Sequence, residues 1–209
     1  EMIAAGAGKD LYSGIVEAGV VASRQEAKVG VLGALYGGTT GDSGRVVPRL
    51  RRTFPDAMAL VDGAAATGER GGTVTTWLGR SSPAPEPGWV QAQRSANGPE
   101  AGGGEQERAR RSARDRGRFT RNAVVQGAAA EFFKAWALTV RAEVAPLRGR
   151  IVLCLHDELL VHVPREAADA AVEAVDSALQ NAARRWSGGA PVRFVSDTGA
   201  FHRWSEAKG

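Results

Sequence analysis

From Leu11 to Tyr36 small and apolar residues recur at intervals of three and four, with polar ones gathered at Ser23 to Lys28; this predicts helix, ended by Gly37-Gly38. Asp42 or Ser43 is expected to cap a second helix that turns Val46, Val47, Leu50 and Phe54 inward and stops at Pro55. Pro55-Asp56 opens a third, through Met58, Leu60, Val61 and Ala64, closed by Gly71-Gly72. Thr73 to Leu78 is rich enough in β-branched residues for a strand. The first third is thus expected to be helical and to end in a hairpin-like turn.

Residues 80–117 hold Pro83, Pro85, Pro87, Pro99 and the Gly102-Gly103-Gly104 run without an apolar period, which predicts a long loop or insertion. Helical periodicity resumes near Phe119 and lasts to about Val144, with Val125, Ala129, Phe132, Phe133, Trp136 and Val140 on the apolar side. Arg150 to Pro164 splits into two apolar runs around His156-Asp157-Glu158, the pattern of a buried hairpin with a charged turn. Pro164 then starts a helix with Ala168, Ala171, Val172, Val175, Leu179 and Ala182 inward, and Val192 to Ser196 is expected to form a last strand. Helix, strand, strand, helix, strand makes an α+β layer with an antiparallel sheet.

Composition narrows this only slightly. The 209 residues are 43% hydrophobic and 24% charged, as in ordinary soluble globular chains. A net charge of +4 is compatible with a polyanionic partner without requiring one. The basic residues are uneven: Arg108, Arg110, Arg111, Arg114, Arg116, Arg118 and Arg121 face only Glu107 and Asp115 over residues 106–121. The first half of that run is expected to be a solvated, partly disordered loop. Cys154, the sole cysteine, excludes an internal disulfide and fits a reducing cytoplasm; its apolar surroundings predict a core position. No apolar stretch approaches the roughly 18 residues that span a bilayer. The opening residue, Glu1, is expected to mark a fragment.

Three constellations hold candidate chemistry. His156, Asp157 and Glu158 are either solvated turn residues or carboxylates held at the end of a rigid sheet for a hard cation such as magnesium. Arg24, Lys28, Leu32 and Tyr36, spaced by four, form one helical stripe. That stripe offers two cations to a triphosphate and an apolar and aromatic platform to sugar and base, or is simply an exposed cationic edge beside the core. Arg118, Asn122 and Gln126, again spaced by four, suit contacts with a base edge or sugar in a minor groove, or a solvated helix face.

In this order the three resemble family A DNA polymerases, the class of bacterial DNA polymerase I. RQEAKVGVLGALYG (Arg24 to Gly37) is similar to the family's fingers helix, RFTRNAVVQGAAAEFFK (Arg118 to Lys134) to its Asn-x-x-x-Gln-Gly helix, and VLCLHDELLVHVP (Val152 to Pro164) to its palm hairpin. GKDLY (Gly8 to Tyr12), GTVTTWLGR (Gly72 to Arg80) and the terminal VSDTGAFHRW are smaller echoes.

The resemblance implies helical fingers over 1–79, a Gly/Pro/Arg-rich loop or insertion over 80–117, and part of an antiparallel-sheet palm over 118–209. It implies template-directed DNA synthesis in replication or repair, in which a primer 3′-hydroxyl attacks the α-phosphate of a dNTP with two Mg2+ ions as cofactor. Asp157 and Glu158 stand as the catalytic and metal-binding carboxylates, and Lys28 as a catalytic cation. Arg24, Lys28, Leu32 and Tyr36 stand as the dNTP site, and Arg80, Arg118, Asn122, Gln126 and His156 as DNA contacts. The implied partners are primer-template DNA and dNTP, with no membrane, for a cytoplasmic, monomeric protein. The sequence departs from the family at Leu32, where Phe or Tyr is usual, at Val31, where Asn is frequent, at Tyr12, where His is usual, and in its longer stretch 98–117. The family's other catalytic Asp falls some two dozen residues before Glu1 by the resemblance, so the 209 residues alone are expected not to synthesise DNA. A non-catalytic DNA-binding remnant is the alternative; an unrelated metal hydrolase would need more ligands, with His162 and His202 the remaining histidines.

Overall fold

A computed structural model describes residues 10–38 and 40–207. Its contacts divide the chain into two compact units, 1–129 and 130–209. Lys9 and Gly8 of the GKDLY echo lie outside the described residues.

The first unit is helical. Helix α1 (Leu11–Glu17) is capped by Asp10, whose carboxylate accepts from the backbone N–H of Tyr12 (2.9 Å) and Ser13 (3.1 Å). The helix predicted from Leu11 to Tyr36 is in fact broken. Gly19 adopts φ +71°, Val20 and Val21 turn into the core, and Ser23 starts helix α2 (Arg24–Tyr36) anew. The Ser23 hydroxyl accepts from the Glu26 N–H, and the Glu26 carboxylate accepts from the Ala22 N–H, a reciprocal cap of the Ser-x-x-Glu kind. At the other end Gly37 closes α2 with φ +72°, as expected of a glycine past the last turn.

Helix α3 (Gly41–Thr53) starts earlier than predicted, with Thr40 at its cap position. Asp42 lies inside the first turn and pairs with Arg45 rather than capping. Helix α4 (Pro55–Glu69) begins at its proline as predicted. Leu60 departs from the expected inward set, being exposed. Glycines let the helices approach: at Gly33 a methyl group falls 2.6 Å from Ser43 Cβ, so only a bare backbone fits against α3. Ile15, Ala27, Val46, Leu50, Phe54, Met58 and Val61 fill the resulting core.

The largest departure concerns residues 80–117, which are mostly helix rather than loop. Helix α5 (Pro87–Ala96) and helix α6 (Gly103–Val144, 42 residues) occupy most of them. The Trp89 indole N–H donates to Ser112 O (3.3 Å) and Gln93 Nε2 to Ala109 O (2.9 Å), so α5 docks along the start of α6. The predicted strand at Thr73 to Leu78 reduces to one bridge, Thr75 to Ser81, inside a tight turn with Gly79 at φ +93°.

In the second unit the end of α6 packs against helix α7 (Ala168–Trp186) and one face of a two-stranded antiparallel hairpin, β1 (Arg150–Leu155) and β2 (Glu158–His162). Trp136, Val140, Val144, Val175, Ala178 and Leu179 form the core, with Ile151, Leu159 and Val161 joining from the hairpin. Register shifts between Ile151 and Leu153, a bulge at Val152, which is exposed. Two expectations fail here. Cys154 is exposed rather than buried, because the helices cover the hairpin on one face. Val192 to Ser196 forms no strand; the segment is irregular and anchors by Phe194, stacked on Phe132 with ring centroids 4.0 Å apart. The α+β class stands, helical with a small antiparallel sheet.

Candidate nucleic-acid interface

Helix α2 turns Ala27, Gly30, Gly33 and Ala34 into the core and leaves Arg24, Lys28, Leu32 and Tyr36 outward, on the single stripe that their spacing predicts. Leu32 is 39% and Tyr36 50% exposed, so both present apolar surface to solvent. Lys28 makes no ion pair or hydrogen bond among the described residues. Arg24 is differently placed: its Nε donates to Asp10 Oδ2 at 3.2 Å and its guanidinium lies 5.2 Å from the Tyr12 ring centroid. The Ser13 backbone N–H, helped by Arg24, holds the Asp10 carboxyl below its ordinary range despite some desolvation. Arg24 is therefore braced by the cap of α1, and a phosphate approaching it has Asp10 to displace.

The second stripe lies on α6. Arg118 pairs with Asp115 at 3.0 Å, Gln126 is exposed, and Asn122 is half-buried with its Oδ1 enclosed and unpartnered among the described residues. The two stripes meet, because the Arg118 side chain rests against the backbone of Gly37 immediately after Tyr36. A cleft of about 410 Å³ opens at this junction, with Gly37, Gly38, Arg51, Arg114 and Arg118 in its walls.

What fixes α6 in that position escapes a sequence reading. Thr120 is fully buried and its hydroxyl donates to Ala64 O (2.8 Å). Arg121, 9% exposed, donates to Ala34 O (2.8 Å) and pairs with Asp62. Asp62 also receives Arg51 through two hydrogen bonds, at 2.7 and 3.1 Å. These bonds, first that of Arg51, hold the Asp62 carboxyl below its ordinary value. Inside an arginine run nothing but the fold separates Arg121, which is structural, from Arg118, which faces outward.

Arg80 sits exposed on the tight turn between α4 and α5. Its carbonyl accepts from Thr76 N (2.9 Å), and the turn presses on α6 where a methyl group on Gly127 falls 2.5 Å from Thr76 Cγ2. Gly127 thus provides the close approach that sets Arg80 on a turn seated beside Gln126. Arg116 braces the same loop, donating to Gly72 O (3.1 Å) and Pro83 O (3.0 Å).

His156, Asp157 and Glu158 lie together at the hairpin apex of the second unit, all exposed. His156 adopts φ +50°, a left-handed conformation that makes the two-residue connection possible. Among the described residues no three His, Cys, Asp or Glu side chains gather as a metal-binding group. His162 pairs in register with Arg150 at the opposite end of the hairpin, and among the described residues no further ligand gathers with the apex as the hydrolase alternative needs. Two adjacent exposed carboxylates do fit a partial magnesium site. That ion takes one or two carboxylates and completes its octahedron with water and substrate phosphate.

Residues 22–206 match the sequence profile of DNA polymerase family A. The chain is 27% identical over 162 residues to the thermostable DNA polymerase I of Thermus filiformis, covering 78% of this chain and 17% of that protein. It is 33% identical over 97 residues to DNA polymerase theta of Caenorhabditis elegans, covering 45% of this chain and 6% of that one. The chain therefore spans less than a fifth of the length of these curated relatives. In three dimensions it superimposes on the POL domain of Pol1 from M. smegmatis, solved in complex with DNA primer-template and dNTP. The TM-score is 0.63 at 22% identity, over 87% of this chain and 33% of that one. No described helix is long and apolar enough to cross a membrane. With the profile running from before α2 to beyond the hairpin, and the fold agreeing with it, the chain belongs to DNA polymerase family A.

Proposed function

We propose that this chain supplies the fingers and part of the palm of a DNA-directed DNA polymerase, with primer-template DNA and dNTP as its partners. The fingers correspond to 1–79 and the palm portion to 118–209. The observation that supports this most directly is the junction of the two stripes. The outward cations and aromatic of α2 end where Gly37 meets Arg118, so a nucleotide laid along α2 has its base end beside the helix that faces DNA.

In this reading Lys28 and Arg24 neutralise the triphosphate, Leu32 and Tyr36 pack against sugar and base, and Arg118, Asn122, Gln126, Arg80 and His156 contact the strands. The enclosed Asn122 Oδ1 gains a partner when a donor from a base edge or sugar arrives. Asp157 and Glu158 would hold magnesium, which when bound activates the primer hydroxyl and stabilises the departing pyrophosphate. The residues themselves bind, orient and neutralise charge. No Asp-Tyr-Ser-Gln run occurs in the 209 residues, so by themselves they are expected to bind without extending a primer.

The test is nucleotide binding by the 209-residue chain in the presence of primer-template. Lys28→Ala is expected to weaken dNTP affinity by about 10- to 100-fold, the worth of a charge-assisted phosphate contact. Equal dNTP affinity in the variant, or DNA binding with no dNTP binding in the parent chain, overturns the reading and favours a DNA-binding remnant. In a polypeptide in which a second catalytic carboxylate completes the site, Asp157→Asn is expected to abolish magnesium-dependent extension while leaving DNA affinity intact.

A further inference from the structure

Residues 103–117 hold a second feature that the assigned contacts do not use. We infer that the first turns of α6 form an additional binding surface for the phosphate backbone of the duplex arm, extending the DNA-facing stripe beyond Arg118; this rests on the polymerase reading above. Counting back from Gln126 and Asn122 in steps of three and four along α6 leads to Arg118, Arg114 or Asp115, Arg111 and Arg108, so these share one face of a continuous helix. Arg108, Arg111, Arg114 and Arg118 are all exposed.

The opposite face is occupied. Helix α5 seats Trp89 on Ser112 and Gln93 on Ala109, and Arg116 is spent on the loop carbonyls of Gly72 and Pro83. Packing on that side leaves the arginine face to solvent. Two carboxylates share this face: Glu107 pairs with Arg114 and Asp115 with Arg118, both at 3.0 Å. Both pairs are more than half exposed on each partner, and ion pairs so open to water are weak, so phosphates compete with them readily. Arg108 and Arg111 make no ion pair among the described residues.

The span suits a duplex. From Arg108 to Gln126 the helix covers ~27 Å, which matches about eight base pairs of axis, each adding a phosphate per strand. A single strand would instead call for successive aromatic platforms, and Phe119 is the only aromatic residue between Gly103 and Gln126.

The test compares the parent chain with Arg108→Gln/Arg111→Gln, in which no observed contact is removed, by titrating labelled primer-template across a salt series. Loss of two phosphate contacts is expected to weaken binding at every sequence and to lower the slope of log K against log salt by about two. Shortening the duplex stem is expected to erase the difference between parent and variant, whereas shortening the single-stranded overhang is expected to leave it. An unchanged slope with normal affinity overturns the inference while Arg118→Ala, if it still weakens binding, leaves the polymerase reading intact. A difference that tracks the overhang assigns the arginines to the single strand and overturns it as well. If the parent chain binds no primer-template, both fall together.

Discussion

The side chain of Arg118 lies on the backbone of Gly37, close enough that a methyl group at residue 37 falls 3.0 Å from Arg118 Cγ. One residue thereby serves as the end of α2 and as the floor for an arginine of α6. Both demands, a φ of +72° and a missing side chain, point to glycine.

Gly37→Ala is expected to cost about 1–2 kcal/mol, mainly through the left-handed backbone, with Gly37→Asn costing less because asparagine tolerates that region. Urea unfolding of the three proteins checks the order. Equal stability of Ala and Gly at this position contradicts the account of how α2 ends.

Asp62 makes the first unit sensitive to acid. Its carboxyl is held below the ordinary 3.8 by hydrogen bonds from Arg51 and by Arg121. A lowered folded-state value means the stabilisation is complete above the unfolded value and is lost as pH falls through the folded one. Urea midpoints should therefore hold steady near neutrality and drop below about pH 4, the ordinary aspartate range. Asp62→Asn should start lower at pH 7 and show a flatter acid limb; an identical acid limb removes Asp62 as the cause.

Arg121→Ala withdraws the partner of Ala34 O and leaves Asp62 with Arg51 alone. The cost is expected to be about 2–4 kcal/mol, since a largely buried charge pair is broken from one side. Arg118→Ala, three residues earlier on the same helix, is expected to stay within about 0.5 kcal/mol because its pair is exposed. Thermal denaturation of the two separates a structural from an outward-facing arginine.

At Gly127 the sign of a substitution depends on its neighbour. Gly127→Ala alone meets Thr76 Cγ2 and is expected to destabilise, while in a Thr76→Ala background the same change should gain up to about 1 kcal/mol of helix propensity. A double-mutant cycle with no coupling would falsify the proposed seating of the turn on α6.

Which parts of this were legible in the sequence follows from where local rules and tertiary partners agree. The two stripes were legible because helical spacing alone puts residues four apart on one face. The hairpin was legible because two apolar runs flank the polar triplet His156-Asp157-Glu158. The break between α1 and α2 is hidden by Gly19-Val20-Val21-Ala22, which continues the apolar rhythm, although Ser23 and Glu26 do spell a cap. Helices α5 and α6 were obscured by prolines and arginines. Yet Pro87 stands at a helix start, where its missing N–H costs nothing, and arginine is a good helix former. A charge run over 106–121 is solvated as expected, but along a helix face. Val192 to Ser196 has strand propensity, yet among the described residues it joins no sheet, and propensity alone forms none.

Cys154, the sole thiol in the chain, stands exposed on β1 three residues before Asp157. A maleimide dye or spin label attached there needs no cysteine-free background, and it reports from the strand that leads directly into the carboxylate-bearing tip. Manganese, a paramagnetic substitute for magnesium, quenches or broadens such a reporter steeply as it comes near. The chain thus comes with its own spectroscopic position for asking when an ion reaches the hairpin.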